Sequence, residues 1–489
     1  MIDNEAVVAH FTSQLEGGAG IATRRLHLAL CRAGVKSVLH FGAGEAVDST
    51  MIPAFQNRTF FWRNAVALAN SWRGRRQAKG GFVTSPRWIR KTPIQSFGDL
   101  PKVINLHWVA RWLDLPSFFG SLPTGTPVVW SLHDLIPITG GCNYPGECDH
   151  FTRQCGNCPQ QRKPASLDDT YKFFRIKHRC YSGENLHFVG NSEWTTLQIR
   201  RSGLAKHAKS IHTIHLGLNV GEYKSVDRLC ARRALGIPDD RFVVGFACSD
   251  FSWERKGAGL LLEAMKILAE QKVLLLTFGA GNWPSANRTE TMQLGTLNSP
   301  QLQCLFYSAL DVFATPSWAE TFGNTAVEAM ACETPVIAYA AGGLTDVVVD
   351  RETGLLEPEI GSVSGLARML QWMWQHPAER QAMTNDWLRP GATVVPVDYA
   401  TMCAAEVARE AALFLVDHRD QFRANRDAGN FDGYPDPAAT LGEAILARTE
   451  RPEGRVVLTH LGVGLADLIF ADVVIRAAIA AGRGTTLPR

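Results

Sequence analysis

Short apolar runs alternate with amphipathic stretches along most of the chain. Val7 to Phe11, Val103 to Leu106, Val128 to Leu132 and Leu186 to Gly190 are bounded by polar or turn-forming residues and read as buried strands. Ile21 to Leu30 carries helical periodicity between the first two, and Asn191-Ser192-Glu193-Trp194 opens another helix on a good cap. A second series starts at Phe242 to Cys248, followed by a helix from Leu260 to Leu268 and by strands at Leu310 to Ala314 and Pro335 to Tyr339. Strands alternating with helices predict parallel sheets of α/β type. The series breaks near Asn219, and a linker carrying Asp227, Arg228, Arg232 and Arg233 follows. Two α/β domains are therefore expected, over 1–218 and 219–385.

The stretch Pro316 to Asp346, PSWAETFGNTAVEAMACETPVIAYAAGGLTD, concentrates candidate chemistry. A buried strand delivers a loop, Gly323 and Asn324 stand where a helix starts, and Thr325 with Glu328 has capping-box spacing. A helix N-terminus that opens after a strand offers unpaired N–H groups to an anion such as a diphosphate. Glu320 and Glu328 flank that position, and Glu328 is also readable as a capping residue alone. Ala341-Gly-Gly lets backbone approach a ligand.

Three other places add to this. Gly17, Gly18 and Gly20 follow the first strand as a glycine loop, a phosphate or sugar cradle or simply a tight turn. His133 ends the strand Val128 to Leu132, where open α/β sheets bind ligands, although an isolated histidine is more often structural. Lys256, with Arg255 beside it, stands at a helix start, a natural contact for a diphosphate.

Taken together these strings resemble the retaining glycosyltransferases of family 4. E-x-F-G-x-x-x-x-E from Glu320 through Phe322 and Gly323 to Glu328, the P-V-I-A strand and the following G-G match the donor-site motif over about thirty residues. Gly17-Gly-Ala-Gly, VVWSLHDLIPITGGC around His133 and Lys256-Gly257 fall where that family has its glycine motif, its donor-sugar histidine and its phosphate lysine. The usual arginine several residues before the lysine is replaced here by Ser249-Asp250-Phe251-Ser252. The resemblance covers about residues 5 to 385. It implies the GT-B architecture, two Rossmann-like domains facing across a cleft. It also implies transfer of a hexosyl group from a nucleotide diphosphate sugar to a saccharide or lipid-linked saccharide, with retention and without a catalytic metal, as in cell-surface polysaccharide synthesis. By the same resemblance Glu320, His133 and Lys256 act at the reacting centre. Gly17, Gly18, Gly20, Arg255, Phe322, Gly323, Asn324 and Glu328 hold the donor.

Length and composition narrow the picture further. At 489 residues, 46% hydrophobic and 20% charged, the chain reads as a soluble globular protein of about three domains. The net charge of +3 calls for no polyanionic partner. Eleven cysteines without a signal peptide or a long apolar run predict reduced thiols in a cytoplasmic protein. Cys142, Cys148, Cys155 and Cys158 have spacing that closes a structural zinc site or remains four ordinary thiols. Between Ser49 and Gly98 there are nine Lys or Arg, no Asp or Glu, and interleaved aromatics such as Trp62, Trp72 and Trp88. That segment suits an anionic membrane surface or a solvated insertion, and no nucleic-acid motif accompanies it.

The text changes near Asp386. Trp387 to Asp398, Phe414 to Asp417, Leu441 to Ala447 and His460 to Leu468 resemble the C-terminal hundred residues of the ornithine cyclodeaminase and mu-crystallin family. That predicts a partial α/β tail over 386–489. No G-x-G-x-x-G precedes it, Ala400 stands where that family has its catalytic aspartate, and Gly462 and Gly464 read as a structural loop. No dehydrogenase or deaminase activity is expected from the tail. Two rival readings remain open: a sugar-nucleotide-binding fusion protein that no longer turns over, and an NAD(H)-dependent enzyme acting through the tail.

Overall fold

The computed structural model describes residues 7–54, 83–183, 185–268, 271–283, 290–385, 393–394, 408–416, 418–427, 431, 433–450 and 452–459. Most of the basic aromatic segment, Ala400, and everything from His460 onward, Gly462 and Gly464 included, lie outside the described residues. The chain divides into two compact units. One comprises residues 1–27, 37–218 and 223–385, the other 28–36, 219–222 and 386–489.

The first unit holds two parallel sheets. Its leading sheet is ordered β3-β2-β1-β4-β5-β6-β7, where β1 is Val8–Gln14, β2 Ser37–Ala43, β3 Met51–Pro53, β4 Val103–Leu106, β5 Pro127–Leu132, β6 Asn185–Gly190 and β7 Ser210–Thr213. The chain thus starts in the middle and winds outward in both directions. The C-terminal ends of β1, β4 and β5 come to lie side by side, where ligands of such sheets bind. His10 faces Asn105 across the β1–β4 ladder, and Leu106 faces Trp130 across β4–β5. Phe11, Ile104, Leu106, Trp130, Leu132 and Phe188 fill the core beneath.

The second sheet runs β10-β9-β8-β11-β12-β13, with β8 Phe242–Asp250, β9 Val273–Ala280, β10 Glu290–Gln293, β11 Val312–Thr315, β12 Val336–Tyr339 and β13 Gly354–Glu357. β8, β9, β11 and β12 are near-continuous apolar runs because both faces are covered. Val243, Val244, Leu275, Leu276, Phe313, Ile337 and Tyr339 form their core.

Three expectations need correction. The segment with Arg228 and Arg232 is a helix, Arg228–Leu235, capped by Asp227 rather than an extended linker. Its arginines hold the buried Asp311: Arg232 Nη2 lies 2.7 Å and Arg228 Nη1 3.1 Å from the carboxylate, with Arg380 also at 3.1 Å. Gly17 to Gly20 is the first turn of the helix Gly17–Arg32 rather than a loop. The helix Asn324–Ala331 starts on Gly323 at φ 108° with no side-chain cap, so Thr325 and Glu328 do not form a capping box. Glu328 has long-range partners instead.

In the second unit a parallel sheet runs β14-β17-β15-β16, with β14 Thr393–Val394, β15 Leu413–Val416, β16 Ala439–Thr440 and β17 Val456–Thr459. Phe414, Val416, Phe422, Phe431, Tyr434 and Val457 pack on one side, and Leu415, Ala444 and Leu458 on the other. The helix Leu441–Leu446 begins with a true capping box between Thr440 and Glu443.

Candidate functional site

The loop after β11 carries Glu320, and two glycine contacts fix its path. A Cβ on Gly257 would lie 2.1 Å from the Pro316 carbonyl oxygen, and one on Gly342 at the same distance from that of Glu320. Gly257 and Gly342 also have φ of 76° and 62°, which a side chain disfavours. Gly343 N–H donates to the Glu320 carbonyl at 2.8 Å, so the loop is clamped from both flanks.

Within this clamp the Glu320 carboxylate is buried, pairs with Lys256 Nζ, accepts from Ser317 Oγ at 3.1 Å and stands 3.7 Å from Arg255 Nη1. Burial acts to raise its pKa, and the Lys256 and Arg255 charges more than offset that, holding it below the ordinary carboxylate value. Arg255 donates to the Ala319 carbonyl at 3.2 Å, and its guanidinium lies 4.9 Å from the centre of the Tyr144 ring. The residue next to Lys256 thus brings a second cation to the same carboxylate.

Glu328 is the other carboxylate. Oε1 pairs with Arg25 Nη2 at 2.8 Å and Oε2 accepts from Tyr307 Oη at 3.0 Å. Arg25 also donates to Tyr223 Oη at 3.0 Å. These bonds use two of the roughly four acceptor positions of a carboxylate. Arg25 reaches Glu328 from the helix that begins at Gly17. Asn324 Nδ2 donates to the Gly18 carbonyl at 3.3 Å, so the starts of two helices, with their unpaired N–H groups, are brought together. Phe322 is buried and stacks on His215 at 5.8 Å between centroids.

His133 follows β5, and its carbonyl accepts from Thr321 Oγ1 at 3.0 Å, which ties it to the Glu320 loop. Its ring is bonded to His107 at 3.0 Å, and burial lowers its pKa to about 4. The neighbouring Asp134 accepts from Trp108 Nε1 at 2.8 Å and Ile136 N at 2.9 Å, and burial raises it to about 6. The structure thus assembles Glu320, Lys256, Arg255 and Phe322 around one loop. It joins His133 to that loop through Thr321, and Gly18 to Asn324.

Arg25, Tyr307, Ser317 and Thr321 were missed in the sequence, and His107 was readable only as a histidine at the end of its strand. Thr321, between two motif residues, had a readable position; Arg25 and Tyr307 reach Glu328 from remote segments and left no local sign.

Cys142, Cys148, Cys155 and Cys158 line one cavity together with His150. Burial pushes the Cys142 and Cys155 thiols up to about 12. Among the described residues no group of three or more His, Cys, Asp or Glu stands ready to hold a metal ion. No helix among them is long and apolar enough to cross a membrane.

The architecture defines the class first: two Rossmann-like α/β sheets with the GT-B fold. Solved structures with this fold cover most of the chain. A sucrose-phosphate synthase from Thermosynechococcus elongatus is 19% identical with a TM-score of 0.51, over 78% of this chain and 92% of its own. WaaG, a glycosyltransferase involved in lipopolysaccharide biosynthesis, is 16% identical with a TM-score of 0.52, over 77% and 93%. More particularly, residues 227–386 match the family described as Glycosyl transferases group 1, so this stretch is a domain of that family. D-inositol 3-phosphate glycosyltransferases are similar to the chain. That of Mycobacteroides abscessus is 35% identical over 159 residues, 30% of this chain and 35% of the relative. That of Kribbella flavida is 31% identical over 191 residues, 35% of this chain and 45% of the relative. The chain thus spans between a third and a half of the length of these curated relatives.

Proposed function

We propose that the chain is a retaining glycosyltransferase that moves a hexosyl group from a nucleotide diphosphate sugar to a saccharide or lipid-linked saccharide hydroxyl, without a catalytic metal. The observation that carries this reading is the cationic pair Lys256 and Arg255 on the buried Glu320 carboxylate, inside a glycosyl transferases group 1 domain.

Bond breaking at the anomeric carbon moves negative charge onto the departing diphosphate. Donors already in place stabilise that charge most, because they need not reorganise during the reaction. Lys256 and Arg255 supply positive charge, and the helix starts at Gly17 and Gly323 supply N–H groups. In the free protein Lys256 is held by Glu320, and on donor binding its ammonium turns to the phosphates. Glu320 then orients the sugar hydroxyls, Glu328 accepts from the ribose, and His133 meets a sugar hydroxyl. Retention follows the family resemblance. A role in cell-surface polysaccharide synthesis, at the inner face of a membrane through the basic aromatic segment, belongs to the same proposal.

A structural zinc on Cys142, Cys148, Cys155 and Cys158 is a separate proposal. It is supported by the shared cavity, by the Gly140 N–H that donates to Cys155 Sγ at 3.1 Å, and by the buried Lys177 ammonium, whose charge acts on Cys155 and Cys142. The thiols must deprotonate and turn together to bind it. Metal analysis of the purified chain decides it: one zinc per chain that is lost in Cys155→Ser supports the site, and none removes it.

The function is tested by incubating the full chain with UDP-glucose, GDP-mannose and ADP-glucose and measuring nucleotide release. Release from one of them, resistant to chelator and lost in Lys256→Ala, is expected. No release from any, with no binding, would overturn the reading.

A further inference from the structure

Three histidines stand in a row across adjacent strands. His10 is on β1, His107 follows β4 and His133 follows β5. His10 Nδ1 lies 3.0 Å from His107 Nε2, and His107 Nδ1 lies 3.0 Å from His133 Nε2. The His107 and His133 rings are stacked with centroids 5.3 Å apart. His10 and His107 are buried, at 1% and 3% exposure, which no solvated surface cluster would show.

All three rings are neutral near pH 7. Burial lowers His10 to about 3, His133 to about 4, and His107 well below its ordinary value. A neutral imidazole carries one proton, so one nitrogen donates and the other accepts. Each ring in the row uses one nitrogen on each neighbour, so its tautomer is tied to the next. The whole row has only two arrangements, one pointing each way.

Asn105 selects between them. Its Nδ2 donates to the Val129 carbonyl at 3.2 Å and Ser131 Oγ at 3.1 Å, which leaves Oδ1 as the free end of the amide. Asn105 and His10 are register partners on β4 and β1, and the Asn105 side chain acts to favour a proton on His10. His10 Nε2 is buried and has no hydrogen-bond partner, so its preference rests on the Asn105 amide on the neighbouring strand. A bare nitrogen turned toward the Asn105 Oδ1 would set two lone pairs against each other away from water, whereas an N–H turned toward it would have an acceptor. With the proton on His10 Nε2, His10 Nδ1 accepts from His107 Nε2, and His107 Nδ1 in turn accepts from His133 Nε2.

We propose that His107 and His10 are positioning residues that hold His133 with its proton on Nε2, leaving Nδ1 as a bare acceptor for a hydroxyl of the donor sugar. The last clause rests on the donor-site reading, and the tautomer does not. A site that fixes its acceptor in advance discriminates sugars by the hydroxyl they present, since a sugar lacking it leaves a polar group unpaired.

Heavy-nitrogen NMR of the full chain labelled at histidine tests this, with His133 assigned by its loss in His133→Asn. The wild type is expected to show a bare Nδ1 and a protonated Nε2 at His133. In His10→Phe and Asn105→Leu the direction is no longer imposed, and His133 should shift to a mixture of both tautomers. A proton on Nδ1 in the wild type, or a tautomer unchanged in folded forms of both variants, would overturn the proposal. If the variants fail to fold, the wild-type spectrum alone still decides the tautomer. Binding of UDP-glucose to the same samples is read by calorimetry, so failure of the donor-site reading would leave the tautomer result standing.

Discussion

The Glu320 loop and the His133 strand end are joined through Thr321 yet are built from opposite chemistry. Around Glu320 the groups carry full charge: a buried carboxylate is kept ionised by Lys256 and Arg255. Around His133 they are neutral, because burial removes the positive charge from three imidazoles in succession. Burial is common to both, so the presence of a counter-charge decides which outcome results. The division fits the two tasks of the proposed transfer, stabilising a departing diphosphate and recognising uncharged hydroxyls.

The largest effect is expected on the charged side. Lys256→Ala removes a cation from the developing diphosphate charge and should lower the transfer rate of the folded protein by about a hundredfold to a thousandfold, the scale of losing one preorganised donor. A smaller loss than tenfold in the turnover of UDP-glucose or whichever donor is accepted would mean the charge lies elsewhere. Next, Glu328→Ala should weaken nucleotide binding by about 1.5 to 3 kcal/mol, since hydrogen bonds to a charged acceptor are lost. It also leaves Arg25 without its carboxylate, so Arg25→Ala is the companion: if both weaken binding equally, the ion pair, not the ribose contact, is what matters.

The charged loop was largely legible in the sequence, and so was His133 at its strand end, but the bonds that join the histidines to one another were not. Glu320, Gly323, Glu328 and Lys256 fall in compact strings whose strand, loop and helix boundaries are set by neighbours a few residues away. His107 and His10 become meaningful only when β1, β4 and β5 are adjacent, a consequence of winding outward from a central strand. The same limit explains two misreadings. Thr325 and Glu328 have the spacing of a capping box, but Arg25, 303 residues away, takes the carboxylate. Arg228 and Arg232 look like linker charges until Asp311 closes on them.

The neutral side gives a pH test. His10 and His133 have folded pKa values lowered to about 3 and about 4 from 6.5, so below pH 6.5 the unfolded chain takes up protons that the folded one refuses. Stability should therefore fall as pH drops from 6.5 toward 4. In His10→Phe the melting temperature should depend less steeply on pH across that window, and an unchanged slope would show that other groups dominate. The smallest effect is Asn324→Ala. Removing its bond to the Gly18 carbonyl should cost about 1 kcal/mol, read as a lower denaturant midpoint without a change in slope.

The most direct measurement is calorimetric titration of UDP-glucose, GDP-mannose and ADP-glucose into the full chain and into its Lys256→Ala and Glu328→Ala forms. Saturable binding of one of them, weakened at least tenfold in Glu328→Ala and also weakened in Lys256→Ala, is the predicted result. Binding of none, or binding indifferent to both substitutions, would contradict a donor site at this loop.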